Sequence, residues 1–158
     1  MTSADLILSI GAPRYPILNN FMACRERVSA VVGPLGSGKT YSLAQRILAH
    51  MVEQAPNAKG ERPTRWLAIR NTYPDLMATT ARDFSSIFSG LGRGMRLGGL
   101  EPPTFFVRFS LTDGTTVESE MVFLALDRED AVRKLRGYQV TGVWRSEMKE
   151  LVKPVVDM

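Results

Sequence analysis

The sequence predicts an α/β fold, and three observations carry that prediction. The first is a run in which Val28-Ser29-Ala30-Val31-Val32 leads into Gly33-Pro34-Leu35-Gly36-Ser37-Gly38-Lys39-Thr40, followed by Leu43, Ile47 and Met51 at every fourth position. Short buried strand, glycine loop and amphipathic helix succeed one another there. The second is Arg65-Trp66-Leu67-Ala68-Ile69-Arg70, a strand-like run closed by the turn residues Asn71 to Asp75. The third is Asp113-Gly114 between two strand-like runs, a strong hairpin signal.

Residues 1–27 are punctuated by Gly11, Pro13 and Pro16, so they read as an irregular segment with one short helix near Asn19 to Cys24. The helix after the glycine loop carries Ala44, Leu48 and Val52 beside its apolar face and runs to about Gln54, where Pro56 and Asn57 end it. Pro74 disfavours helix at Tyr73, so Asp75 is expected to cap the next helix. That helix buries a stripe through Leu76, Thr80, Phe84, Ile87 and Phe88. From Gly90 to Pro103, five glycines and two arginines argue for a mobile loop with no regular element. Arg93 and Arg96 on it are candidates for nucleic-acid phosphates as well as for a solvated surface. Strands are expected over Thr104–Ser110, Thr115–Leu126 and Val140–Arg145. A short helix is expected from Asp127, and another from Met148 that Pro154 disturbs.

The glycine loop matches the phosphate-binding pattern G-x-x-x-x-G-K-[ST] at every specified position. Its backbone N–H groups can converge on phosphate oxygens, and the helix after it adds the positive pole of its dipole. Lys39 then reaches the β and γ phosphates, and the Thr40 hydroxyl ligates Mg²⁺. Gly33, Pro34, Leu35, Gly36, Ser37 and Gly38 form the cradle. ATP and Mg²⁺ are the cofactors this pattern implies. Tyr15, Phe21 and Arg14 stand before the first strand, where such folds pack the base; ordinary packing is the competing reading.

Composition narrows the class. The chain has 158 residues, 44% hydrophobic and 23% charged, which suits one globular domain. A net charge of +4 permits a polyanionic partner without demonstrating one. Cys24 is the single cysteine, so no internal disulfide and no thiolate zinc cluster can form. His50, the single histidine, sits beside buried helix positions, where a packed or surface role outweighs a catalytic one. No stretch reads as a membrane span or secretory signal, and a reducing cytoplasm fits.

Five stretches together resemble the ATPase half of tailed-phage terminase large subunits, over roughly Met22 to Leu151. They are the Gly33–Thr40 loop, Ala68-Ile69-Arg70-Asn71-Thr72-Tyr73-Pro74-Asp75-Leu76, the hairpin at Asp113-Gly114, Phe123-Leu124-Ala125-Leu126-Asp127-Arg128, and Lys134-Leu135-Arg136-Gly137-Tyr138 leading into Thr141-Gly142-Val143-Trp144. The resemblance implies a P-loop NTPase of the additional-strand, catalytic-glutamate class. Its sheet is expected to be mostly parallel with a β-hairpin and incomplete at the C-terminus. It implies an N-terminal segment, 1–27, near the base, and an ATPase domain over 28–158 without the family's nuclease domain. Glu147 matches the glutamate that orients the attacking water. Arg136 matches an arginine that can act in trans on a neighbouring subunit's nucleotide, and its other reading is a surface arginine or a brace. Arg70, at a strand end, is a candidate nucleotide sensor. Double-stranded DNA, a portal protein, a terminase small subunit and a homo-oligomeric ring are the implied partners, in the bacterial host cytoplasm and without a membrane.

Two departures accompany the resemblance. Ser146 stands where the family usually has aspartate, so it can reach the metal only through a bound water and brings no charge. The strand that the family places after the glutamate lies beyond Met158, which reads as the front of a longer protein or a truncated remnant of marginal stability. The sequence supports three functions. They are an ATP-driven DNA-packaging motor subunit, a non-catalytic nucleotide-binding remnant and a small P-loop kinase; the hairpin and the lack of an arginine-bearing lid argue against the kinase.

Overall fold

A computed structural model describes residues 16–97, 101–126, 135 and 137–147. Helix α1 spans Pro16–Ala23 and helix α2 spans Lys39–Glu53. Strand β1, Glu61–Arg70, leads into helix α3, which is assembled from Tyr73–Asp75, a π-helical Leu76–Ala81 and Arg82–Ile87. Strands β2 (Gly92–Arg96), β3 (Thr104–Ser110), β4 (Thr116–Ala125) and β5 (Gly142–Arg145) complete the described elements. The short helices expected from Asp127 and Met148 lie outside the described residues.

The fold is mixed α/β. Its five strands form one sheet in the order β2-β3-β4-β1-β5. β1 pairs in parallel with β4, from Glu61↔Thr116 to Arg70↔Ala125, and with β5, from Trp66↔Gly142 to Ile69↔Arg145. β2–β3 and β3–β4 are antiparallel. The sheet is mixed, with β4, β1 and β5 parallel and the β3–β4 hairpin antiparallel as expected; the correction falls on the Gly90–Pro103 segment, which supplies the antiparallel strand β2 where a loop was expected. β2 forms because glycine leaves room for its neighbour: a Cβ on Gly92 would lie 2.4 Å from the Phe105 ring.

Alternation along β1 and β4 buries both faces. Trp66, Ala68, Val117, Met121 and Phe123 pack under α2 and α3, against Ala44, Ile47, Leu48, Met51, Leu76, Phe84 and Phe88. Phe84 stacks on Phe88 at 4.2 Å and meets Phe105 and Phe123 edge-on. The α3 aromatics are core, as their spacing indicates. The opposite face carries Leu67, Ile69, Val122 and Leu124 with Leu126 and Leu135. Asp113 and Gly114 make the β3–β4 turn as expected, with Gly114 at φ 82° and Asp113 accepting from the Thr115 N–H and hydroxyl.

One expected element does not form. Residues 28–32 belong to no strand, and Val28 and Val32 are 83% and 91% exposed. The buried strand read from this valine run is therefore corrected to a largely exposed segment without regular structure. The physical reason is the ladder. β5 ends the sheet and pairs with β1 alone among the described strands, so residues 28–32 have no strand beside them to share hydrogen bonds. Among the described residues no helix is long and apolar enough to cross a membrane.

β5 is fixed by a contact that only glycine permits. A Cβ on Gly142 would fall 2.3 Å from the Trp66 ring. Gly142→Ala should therefore destabilise the fold by about 1–3 kcal/mol through overpacking. A urea titration reads this as a lowered midpoint with unchanged slope. Gly90→Ala, with open space around its Cβ position, should stay within about 0.5 kcal/mol of the parent.

Candidate functional site

The direction of α2 places the site. Arg62, near the start of β1, donates to the carbonyls of Val52 at 2.9 Å and Gln54 at 2.7 Å, at the C-terminal end of α2. α2 therefore runs back along the sheet antiparallel to β1, and its N-terminus points to the edge where the parallel strands end. That edge gathers Arg70 of β1, Ala125 of β4 and the Arg145-Ser146-Glu147 end of β5. In open α/β sheets this is the edge where ligands bind.

The glycine loop stands at this N-terminus. Gly36 and Gly38 adopt φ 74° and 82°, conformations that side chains other than glycine rarely take. Gly38 caps α2 without a side-chain hydrogen bond, which leaves first-turn N–H groups for another acceptor. Ser37 Oγ donates to the Pro34 carbonyl at 2.8 Å. The Lys39 ammonium donates to the Gly33 carbonyl at 2.7 Å, the Pro34 carbonyl, and Ser37 Oγ at 3.2 Å. It thus lies along its own loop. Thr40 comes next as the second residue of α2, half-buried. Leu35, at the loop tip, is fully open to solvent. The glycine conformations and uncapped helix start fit a phosphate group, and Thr40 beside them fits a phosphate-bound Mg²⁺.

The acidic arm is Ser146-Glu147. The Ser146 N–H donates to the Ile69 carbonyl at 3.0 Å, extending the ladder past the last β5 residue. Glu147 is exposed and has φ 51°, the single positive value found for a non-glycine residue among those described. Such a backbone is uncommon outside glycine and carries a strain cost. Among the described residues no hydrogen bond or ion pair joins Glu147 to the loop. Arg145, awkward in a fully buried strand, is half-exposed on the short edge strand. Arg136, the candidate trans arginine, lies outside the described residues, as do Tyr15 and Arg14.

Phe21 is buried in ordinary packing. Arg46 donates to its carbonyl at 2.6 Å, and the guanidinium covers its ring at 4.9 Å. A cleft of about 260 Å³ bordered by Asn20, Cys24, Ser29 and Val31 separates α1 from the chain entering the loop.

Three features escaped sequence reasoning. Thr72, not Asp75, is the N-cap of α3: its Oγ accepts from the Asp75 N–H at 3.3 Å and donates to the Asp75 carboxylate at 2.6 Å. The spacing Thr72-x-x-Asp75 with Pro74 in the first turn is a capping signal that the sequence does hold. The π-helical turn within α3 has no such signal. On it, Thr79 Oγ accepts a hydrogen bond from the Arg70 guanidinium and donates to the Asp75 carbonyl at 2.7 Å. Arg70 and Ser146 each follow the last β1–β5 pair, Ile69↔Arg145.

No protein-family model, no curated protein and no solved structure matches this chain.

His50 lies well away from the loop, its ring 5.9 Å from that of Trp66. Partial burial, aided by the nearby Arg46 charge, holds its pKa below the ordinary 6.5, and Glu53 opposes the shift. The unfolded chain then binds the proton more readily than the folded one. This contribution to stability is complete above pH 6.5 and is lost as pH falls below that value. An NMR titration should place the His50 transition below that of the unfolded chain, and His50→Gln should flatten this part of the stability–pH curve.

Proposed function

We propose that this chain is the ATPase portion of a viral DNA-packaging motor, a terminase large subunit of the P-loop NTPase class. The observation that carries the proposal is the position of the Gly33–Thr40 loop, at an uncapped helix start on the same sheet edge as Ser146-Glu147. In this reading the backbone of Gly33, Pro34, Leu35, Gly36, Ser37 and Gly38 cradles the phosphates of ATP. Lys39 leaves its carbonyl partners for the β and γ phosphates. Thr40 holds Mg²⁺, and Ser146 reaches the metal's water shell. Glu147 orients the water that attacks the γ-phosphate, and hydrolysis drives double-stranded DNA into a procapsid. Arg136 would act across a homo-oligomeric ring docked to a portal protein and served by a small subunit, in the bacterial host cytoplasm.

The exposed Val28–Val32 segment favours a second reading. A loop whose entering segment lies outside the sheet is less firmly aimed at Glu147, which is what a nucleotide-binding remnant without turnover would show.

Calorimetry and phosphate release on one set of variants separate the two. Lys39→Ala should weaken Mg-ATP binding by about ten- to a hundredfold, the worth of charge-assisted hydrogen bonds, and abolish turnover. Glu147→Gln should bind Mg-ATP within about threefold of the parent while losing hydrolysis by about 10²–10⁴. Tight, Lys39-dependent binding with no turnover in the parent, even with DNA, selects the remnant. Binding indifferent to Lys39 removes both.

A further inference from the structure

Arg70 ends β1 on the sheet face that Ala68 and Trp66 turn toward α2 and α3, by strand alternation. The β1–β5 register ends one residue earlier, at Ile69↔Arg145, and Ser146 follows directly after it. The strand end is tied on both sides, since the Leu126 N–H donates to the Arg70 carbonyl at 2.9 Å and the Ser146 N–H donates to that of Ile69 at 3.0 Å. The backbone of Arg70 is therefore fixed, and its guanidinium reaches Thr79 on α3.

The contact with α3 is one that orients it. Thr79 donates its one hydroxyl proton to the Asp75 carbonyl, so the oxygen's lone pairs are left to accept from the Arg70 guanidinium. Thr79 is itself placed from three directions. Thr72 caps the start of the helix, and Leu76, Thr80 and Ala81 are buried around it. The Leu76–Ala81 turn is π-helical, so an inserted residue rotates the rest of α3 by about 100° relative to an unbroken α-helix. Hydrogen bonds run from Arg70 to Thr79, from Thr79 to the Asp75 carbonyl and between Asp75 and the Thr72 cap, two residues beyond Arg70 in the chain.

We infer that Thr79 is a positioning residue that holds the Arg70 guanidinium toward the terminal phosphate of a bound nucleoside triphosphate, so that the site distinguishes triphosphate from diphosphate. The inference rests on the proposed nucleotide site. Arg70 meets the γ-phosphate as a planar donor, and Thr79 never touches the nucleotide. A valine in place of Thr79 keeps the shape and removes the acceptor; a serine keeps the acceptor.

The test is displacement of a fluorescent ADP analogue by Mg-ATP and by Mg-ADP, on the full chain and its variants. Thr79→Val should lose about tenfold in ATP affinity, the value of one hydrogen bond to a charged group, with ADP affinity held within about twofold. Thr79→Ser should restore the parent preference. Arg70→Ala should lose ATP affinity as Thr79→Val does, and adding Thr79→Val to it should change nothing more. Equal losses for ATP and ADP, or a valine variant that keeps its ATP preference, overturn the inference. If Thr79→Val does not fold, Arg70→Ala carries the test, and retained ATP preference there overturns it. Lys39→Ala keeps the two levels apart. Should it bind as well as the parent, the nucleotide site itself is wrong; should binding depend on Lys39 while Thr79→Val stays neutral, only the positioning role falls.

Discussion

The parallel ladder between β1 and β4 is the interaction on which the other elements depend. It runs the full length of both strands, from Glu61↔Thr116 to Arg70↔Ala125. Parallel strands of this kind need cover on both faces, and each strand here supplies apolar side chains to both. Trp66, Ala68, Met121 and Phe123 make the floor for α2 and α3, while Leu67, Ile69, Val122 and Leu124 make the second core. The ladder also sets polarity. Because β1 and β4 point the same way and α2 is tied by Arg62 to their starting end, the glycine loop must come to their finishing end. The site is thus a consequence of strand direction before any functional side chain is considered.

The sequence makes legible whatever a local pattern forces. The 3.6-residue spacing of Ile47, Leu48, Met51 and Val52 marks the buried face of α2, and Asp113-Gly114 supplies the positive φ that the hairpin turn needs. Phe84 and Phe88 read as core from spacing and are core. Elements decided by a distant partner are not legible. β2 is a strand because Phe105 needs the space beside Gly92, and nothing within Gly92–Arg96 announces that. Val28–Val32 has the composition of a buried strand and lacks the neighbour that would make it one. Composition proposes a strand, and only a ladder makes one.

The same division runs through the site. The loop residues, Ser146 and Glu147 are candidates drawn from short contiguous runs, and the structure sets the two runs toward one edge of the sheet. The capping role of Thr72 is hidden only by the choice of Asp75, since Thr-x-x-Asp holds both residues of the cap. Thr79 is hidden altogether. Its contact with Arg70 depends on a π-helical turn and on an arginine from a different element, and a threonine in mid-helix looks like any other half-buried position. Positioning groups of this kind are set by tertiary geometry.

Core and site meet at Gly142. β5 is only four residues long and lies at the sheet edge, so its register cannot be held by hydrogen bonds on two sides. It is held by close approach. The Trp66 ring occupies the space that a Cβ on Gly142 would take, and Trp144 packs into the same core near Phe84. Residues 142 and 144 are thus fixed by packing, and two positions later the chain reaches Ser146 and the positive φ of Glu147. The position of the acidic arm is therefore a property of the tryptophan packing beneath it. A substitution that loosens Trp66 or Trp144 should therefore shift Glu147 as well as lower stability, since both depend on this packing.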